Sequence, residues 1–316
     1  MTVDNILEEI KKAEKILILS HENPDGDAIG SSLAMCLALN GMGKNVDVVI
    51  KEVPKSYSFL PGIEFVKNKP EDIEYDLAIA VDCADVKRIN NIYIDSYENA
   101  KVKIQFDHHT KNTMFADYNF VNPVSPACCQ ILSTVFDYMK IEKTKDILTC
   151  LLTGIITDTG GFRNTSITTD SFEFASYALS QGINVSKVYS QALMLITKEK
   201  FEIQKLAMQR MEFFEDGKIS FTYITKEDKE RIGTKAGDLE GIVEIGKNIE
   251  NVEVSIFIYE REDDYKISLR SNSYVDVSEI CMLFGGGGHI RAAGCNISTS
   301  FEEAKKKIIS ETRKHI

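Results

Sequence analysis

Lys15 to Ser20 (KILILS), Val46 to Ile50 (VDVVI), Leu77 to Val81 (LAIAV) and Lys103 to Phe106 (KIQF) are short apolar or β-branched runs, separated by stretches of helix or turn length. Runs of this length read as buried strands, and their alternation with helical stretches specifies a mainly parallel sheet with helices on its faces. Three of the four are followed at once by a side chain that binds metals well: His21 after the first, Asp82 after the third and Asp107 after the fourth. In an open α/β sheet the carboxyl ends of the strands converge on the crevice where ligands bind, so groups far apart in sequence can meet there.

The series is longer than three residues. HENPDGD carries Asp25 and Asp27 behind His21, a DHH run carries His108 and His109 behind Asp107, and TDTG carries Asp158. Gly26 and Gly30 are expected to let a loop turn tightly enough for both early aspartates to face one site. Ala28 to Asn40, stopped by Gly41, reads as a buried helix, and Pro126 to Met139 and Asp146 to Ile156 as two more. Any one of these aspartates alone would more simply be a helix cap or turn residue. Their ordered combination points to a metal site.

Four carboxylates brought together without cations would repel one another and force protonation. Two divalent ions balance that charge, and the imidazoles of His21 and His108 complete an oxygen-and-nitrogen donor set. Such a set suits Mn²⁺ best, with Mg²⁺ or Co²⁺ as alternatives, and its lack of thiolates disfavours structural zinc. A metal pair can share a bridging carboxylate and present a hydroxide for in-line attack on phosphorus.

The 316 residues exceed the usual size of one domain, and a hydrophobic content of 43% supports a core in each of two. No stretch of about 18 apolar residues appears, and the chain opens on a polar, acidic helix-like segment, so a cytoplasmic protein without a membrane partner is expected. Seven cysteines with no CxxC pair fit buried, reduced thiols. A formal charge of −11 argues against long duplex DNA, which needs many phosphate contacts by Lys and Arg. Short anionic substrates remain compatible with it.

The expected organisation is an N-terminal parallel-sheet domain over 1–183, a helical linker over 184–215 and a smaller α/β domain over 216–316. In the last, Lys218 to Ile224, Val252 to Tyr259 and Tyr265 to Arg270 alternate like strands. Lys235 to Lys247, Val275 to Leu283 and Phe301 to Lys314 read as helices. Arg270, at a strand end, could grip a phosphate bidentately. Gly285 to Gly288, before His289, reads as a loop whose bare backbone approaches an anion, and Arg163 is a candidate to neutralise substrate phosphate.

HENPDGDAIGSS, VDCAD, DHHT and GIITDTGGFR resemble, in order, the four signature motifs of DHH-family phosphoesterases. YKISLRS and FGGGGHIRAAG resemble the DHH-associated C-terminal domain of RecJ-type exonucleases and small oligoribonucleases. The resemblance implies that His21, Asp25 and Asp82 hold one metal, and that Asp27, Asp82, His108 and Asp158 hold the other, with Asp82 as the bridge. RecJ-type enzymes often place Asn where this chain has His21. His109 would face the scissile phosphate, and Asp107 would orient the neighbouring histidine. Arg270, Ser271, Gly287 and His289 would contact the nucleotide end of the substrate, the linker would act as a hinge, and a homodimer would form. The simple two-domain plan resembles the nano-RNase and pAp phosphatase members, which implies a Mn²⁺-dependent enzyme degrading very short RNAs and linear dinucleotides to mononucleotides, and cleaving pAp to AMP. The alternatives are a soluble cyclic-dinucleotide phosphodiesterase and a nucleotide-binding regulatory protein without chemistry.

Overall fold

A computed structural model describes residues 3–164 and 166–316. It separates into two compact units, the first ending at Leu195 and the second spanning Ile196–Ile316. The segment 184–215 is divided by that boundary.

The first unit is a six-stranded parallel sheet flanked by helices. Its strands are β1 (Lys15–Leu19), β2 (Asn45–Val49), β3 (Val66–Lys67), β4 (Leu77–Val81), β5 (Val102–Asp107) and β6 (Tyr118–Val121). They lie in the order β3-β2-β1-β4-β5-β6, every pair parallel. The helices are α1 (Val3–Lys12), α2 (Gly26–Gly41), α3 (Ile94–Glu98), α4 (Cys128–Tyr138), α5 (Lys145–Asp158), α6 (Thr169–Ser180) and α7 (Val185–Tyr189). Both faces of β1 and β4 are buried, which is why these strands read as unbroken apolar runs. Ile16, Ile18, Leu77, Ile79 and Val81 pack on one side with α2, α4 and α5, while Leu17, Leu19, Ala78 and Ala80 pack on the other with Tyr75, Tyr93 and Tyr97.

Strand order reverses between β1 and β4. At such a switch point the connections leave in opposite directions and open a crevice at the carboxyl ends of the strands. His21 follows β1 and Asp82 follows β4, so the two sit on either side of it.

Gly26 and Gly30 do not lie in a turn as expected; both are in α2, and neither has a positive φ. They are bare because α5 lies against them. A Cβ on Gly26 would come within 2.4 Å of the Thr157 side chain, and one on Gly30 within 2.6 Å of the Cys150 carbonyl oxygen. Gly154 does the same from α5, where a Cβ would stand 2.3 Å from Cys129 Sγ and 2.5 Å from Asp27 Oδ1. Three helices therefore close on one another around Asp27.

The second unit holds α8 (Lys198–Gln209), β7 (Glu212–Phe214), β8 (Ile219–Ile224), α9 (Lys226–Ile232), α10 (Ile242–Lys247), β9 (Val254–Glu260), β10 (Tyr265–Ser271), α11 (Val277–Met282), β11 (Gly287–His289), β12 (Ala292–Ile297) and α12 (Phe301–Arg313). Its sheet runs β11-β12-β10-β9-β8-β7, antiparallel except for the β8–β9 pair. The α/β class with a parallel N-terminal sheet and a second C-terminal sheet is thus borne out. Two expectations change in detail. The helix read over Lys235 to Lys247 is a 3₁₀ turn over Ala236–Leu239 followed by α10, separated at Gly241, whose φ is 85°. The tetraglycine is not all loop: Gly287 begins an edge strand, and a Cβ on Gly286 or Gly288 would meet the β12 backbone at 2.3 Å and 2.5 Å. Those two glycines are required by strand approach.

Among the described residues no helix is long and apolar enough to cross a membrane. All seven cysteines are buried and unpaired.

Candidate metal centre

Asp82 stands one residue beyond β4, in the left-handed region with φ 51°. A non-glycine residue there carries backbone strain of roughly 1 kcal/mol or more, and such outliers gather at functional sites. Its amide still donates to the Phe106 carbonyl at 3.0 Å, which extends the β4–β5 ladder by one bond and holds the strained residue in place. The carboxylate is 2% exposed, and Oδ1 has no hydrogen-bond partner.

Around it the structure gathers His21, Asp25, Asp27, His108, His109 and Asp158. His21, Asp25 and Asp82 each offer a donor atom within 4.8 Å of the others, and so do Asp27, His108 and Asp158. Asp82, His108 and His109 form a third such group. Asp82 belongs to two of the three, and Nε2 of His108 lies 3.3 Å from its Oδ1 and 3.2 Å from Oδ2 of Asp158. Nε2 of His21 is 3.7 Å from Oδ2 of Asp82.

Each donor is aimed by its own support. Asp25 is the N-cap of α2, accepting from the amides of Asp27 and Ala28 at 3.0 and 3.1 Å. Asp27 lies in the first turn of α2 and caps a different helix. The amides of Cys128 and Cys129 at the start of α4 donate to its Oδ2 and Oδ1 at 2.6 and 2.9 Å. His108 donates from Nδ1 to the Ser125 carbonyl at 3.3 Å, which turns Nε2 toward the carboxylates. Asp107, fully buried at the end of β5, accepts from His109 Nδ1 at 2.7 Å and from Asn112 Nδ2 at 2.5 Å.

Asp158 is the last residue of α5, where a negative charge opposes the helix dipole. Burial, and then the charges of Asp27, Asp82 and Asp25, push its carboxyl up to about 9. Burial and the charge of Asp82 likewise raise Asp27 to about 7. Burial also works against the charged form of Asp82, but the neighbouring imidazoles of His108 and His21 outweigh it and hold that carboxyl below its usual range. His108 is raised despite burial, by the close approach of Asp82 and the charges of Asp27, Asp82 and Asp158. The hydrogen bond to Asp107 raises His109. Protons do the work of cations here, which is how a carboxylate cluster behaves when its charge must be matched.

The residues fit divalent cations on independent grounds. Buried polar groups normally find partners, yet His21 Nδ1 and Asp82 Oδ1 have none within the protein. All the donors are imidazole nitrogens and carboxylate oxygens, a set suited to Mn²⁺, Mg²⁺ or similar ions.

Sequence reading missed the Cys128 and Cys129 amides, the Ser125 carbonyl and Asn112. One signal was available for the first pair: the N-cap of α4 is Ala127, which has no capping side chain, so the helix's first amides needed an acceptor from elsewhere. Arg163, an exposed residue just past the Gly160–Gly161 turn, donates from Nε to the Gly160 carbonyl at 2.8 Å.

The second unit places its candidates differently. Arg270 pairs through Nε with Glu244 at 2.8 Å, and the buried Ser271 donates its hydroxyl to the Val275 carbonyl at 2.7 Å. Ser271 also bonds through its amide to the Arg291 carbonyl, which ties the end of β10 to the segment after His289. Gly287 and His289 are exposed on β11, and a Cβ on Gly287 would meet nothing.

Residues 15–155 match the model of the DHH family, N-terminal domain, and residues 216–315 match that of the DHHA1 domain. A relative from Thermus thermophilus, named bifunctional oligoribonuclease and PAP phosphatase NrnA, is 29% identical over 98% of this chain and 94% of its own. A crystal structure of an exopolyphosphatase-related protein from Bacteroides fragilis superposes with a TM-score of 0.87 at 28% identity, covering 99% of this chain and 95% of that one. RecJ from Thermus thermophilus in complex with Mn²⁺ shares the fold at a TM-score of 0.51 and 13% identity, over 98% of this chain and 54% of its own. The chain thus carries a DHH-type N-terminal domain followed by a DHHA1 domain.

Proposed function

We propose that this chain is a two-metal phosphoesterase that degrades very short oligoribonucleotides, including linear dinucleotides, to mononucleotides, and converts pAp to AMP. The observation that carries the reading is the donor cluster at the sheet's switch point, three overlapping groups of three, two of which contain Asp82. The relative named oligoribonuclease and PAP phosphatase, matched over nearly the whole chain, supports the substrate class.

In this reading His21, Asp25 and Asp82 hold one divalent ion, and Asp27, His108 and Asp158 hold a second with Asp82 shared. Mn²⁺ is the proposed ion. Such ions polarise a phosphoryl oxygen and lower the pKa of water. The protein's own groups do the rest. Asp107 and Asn112 fix the His109 ring, and the raised proton affinity of His109 keeps it a donor toward a phosphate oxygen as negative charge develops. The α4 amides hold Asp27 from behind, so neither of its oxygens can swing away. Arg163, held by the Gly160 carbonyl, is assigned to neutralise substrate phosphate. For the second unit the proposal assigns Arg270, Ser271, Gly287 and His289 to the nucleotide end of the substrate.

The test is a panel: the purified chain with Mn²⁺ against labelled RNAs of two to about twenty nucleotides, pAp, cyclic dinucleotides and pyrophosphate. The reading expects turnover of the shortest RNAs and pAp, fading with length. Preference for cyclic dinucleotides or pyrophosphate would overturn it, and tight pAp binding without turnover would make the chain a nucleotide-binding regulator.

A further inference from the structure

The sequence holds eight arginines, all of them among the described residues. Five hold a carboxylate: Arg210, Arg231, Arg261, Arg270 and Arg313. Arg163 and Arg291 donate to backbone carbonyls. Arg88 is exposed, and its side chain has no hydrogen-bond or ion-pair partner among the described residues. In a chain with 48 acidic and 37 basic side chains, an arginine left unpaired calls for an explanation.

Its place in the fold supplies one. Arg88 closes the short 3₁₀ turn Val86–Arg88 that follows Asp82, and its carbonyl accepts from the amide of Glu22, the residue after His21, at 2.7 Å. That bond ties the loop leaving β4 to the loop leaving β1 at the rim of the metal centre. The turn is firmly held. Asp85 caps it by accepting from the Lys87 amide at 2.9 Å, the Cys83 carbonyl accepts from Gln105 at 2.6 Å, and the Ala84 carbonyl accepts from the Thr113 amide at 2.9 Å. Asn90, two residues on, donates to the Glu22 side chain at 3.3 Å. A rigid backbone thus carries an exposed arginine on the turn that follows Asp82 and is bonded to the residue after His21, and among the described residues no carboxylate pairs with its side chain. A guanidinium fork suits a phosphate group as well as a carboxylate.

We infer that Arg88 binds the non-scissile phosphate of the substrate, so that the unit this site recognises is a nucleoside carrying phosphates at both its 3′ and 5′ positions. The inference rests on the proposed function and deepens it. A 5′-phosphorylated dinucleotide contains that unit with its 3′-phosphate esterified, and pAp contains it free. One cation at the rim therefore accounts for both substrates in one site, whereas a dinucleotide lacking the 5′-phosphate offers Arg88 nothing. No covalent step is assigned to Arg88; it positions the phosphate it holds.

The experiment compares wild type, Arg88→Gln and Arg88→Lys as full chains with Mn²⁺, on a 5′-phosphorylated dinucleotide, the same dinucleotide without that phosphate, pAp and adenosine 3′-monophosphate. Losing a charge-assisted, two-pronged contact should lower kcat/KM by about 10- to 100-fold on the two bisphosphate substrates, chiefly through KM. The two single-phosphate substrates should change by less than about twofold, and Lys should restore part of the loss. Equal losses on all four, or none on any, would overturn the inference and leave Arg88 a solvated surface residue. Equilibrium dialysis of labelled pAp and adenosine 3′-monophosphate separates the two claims. If wild type turns over no substrate, the functional reading fails, while weaker pAp binding by Arg88→Gln still supports the inference and equal binding by both proteins sinks it.

Discussion

Asp158 and Glu253 are both acids set into the interior of their units, and the chain treats them in opposite ways. Glu253 accepts from the Ser273 hydroxyl and amide and from the amides of Tyr274 and Val275, at 2.6 to 3.2 Å. Burial works against its charge, but those donors outweigh it and hold the carboxyl below its ordinary range. Asp158 receives no comparable set of donors. It faces other carboxylates and is pushed up to about 9. A carboxylate satisfied by its own chain builds structure, as Glu253 does for the loop after β10. One held against its own charge preference asks for a cation from outside.

The contrast can be broken most decisively at Asp82. Asn tolerates a φ of 51° better than Ala does, so Asp82→Asn should fold while losing the carboxylate's charge and its second oxygen donor. Metal-dependent turnover should fall by more than about 100-fold with little change in melting temperature. Retained activity in that variant would remove Asp82 from the site.

Next in size is Gly154→Ala, which adds one methyl group where Cys129 Sγ and Asp27 Oδ1 already stand. Overpacking there should cost about 1–3 kcal/mol, seen in denaturant unfolding, and should weaken Mn²⁺ binding by displacing Asp27. Loss of stability with unchanged metal affinity would separate helix packing from the site.

The pH dependence sharpens the comparison further. Asp27, Asp158 and His108 all bind protons more tightly in the folded chain than unfolded, from starting values of 3.8, 3.8 and 6.5. The stability they contribute is greatest below those unfolded values and is lost as pH rises through the folded ones. Metal-free protein should therefore melt at progressively lower temperature as pH rises from about 6 to about 9. Saturating Mn²⁺ should flatten or reverse that slope, because cations replace the protons. A metal-free profile that rises over this range would contradict the charge account. Glu253 and Asp228, whose carboxyls are lowered, contribute stability that is fully present above the ordinary carboxylate range and is lost only as pH falls into acid, so their contribution is constant across this window.

The smallest effect belongs to the second unit. Arg270→Ala breaks a partly exposed pair with Glu244 and should change stability by no more than about 1 kcal/mol. A rise in KM with kcat unchanged would show that Arg270 exchanges Glu244 for substrate. An unchanged KM would make it structural.

The site-bearing strands were legible because burial on both faces leaves them continuous apolar runs, so Leu77–Val81 could be bounded to the residue. The gathering of His21, Asp82 and His108 followed from strand ends converging. What a linear pattern conceals is support from afar: the amides that hold Asp27 lie about a hundred residues away, and the glycines that seem to serve a turn serve contacts with α5. The edge strand β11 and its neighbour β12 escaped notice because glycine and alanine carry little strand signal, and their pairing comes from the sheet rather than from local preference. Arg88 was hidden for a related reason. An arginine is informative only when its neighbours are known to leave it unpaired.

The central claim is that the series from His21 to Asp158 holds two cations, and counting them tests it most directly. Metal-free protein titrated with Mn²⁺ at about pH 8, with bound metal and released protons measured together, should take up two ions per chain and release protons as they bind. Saturation at one ion or none, or uptake unchanged in Asp82→Asn, would contradict it.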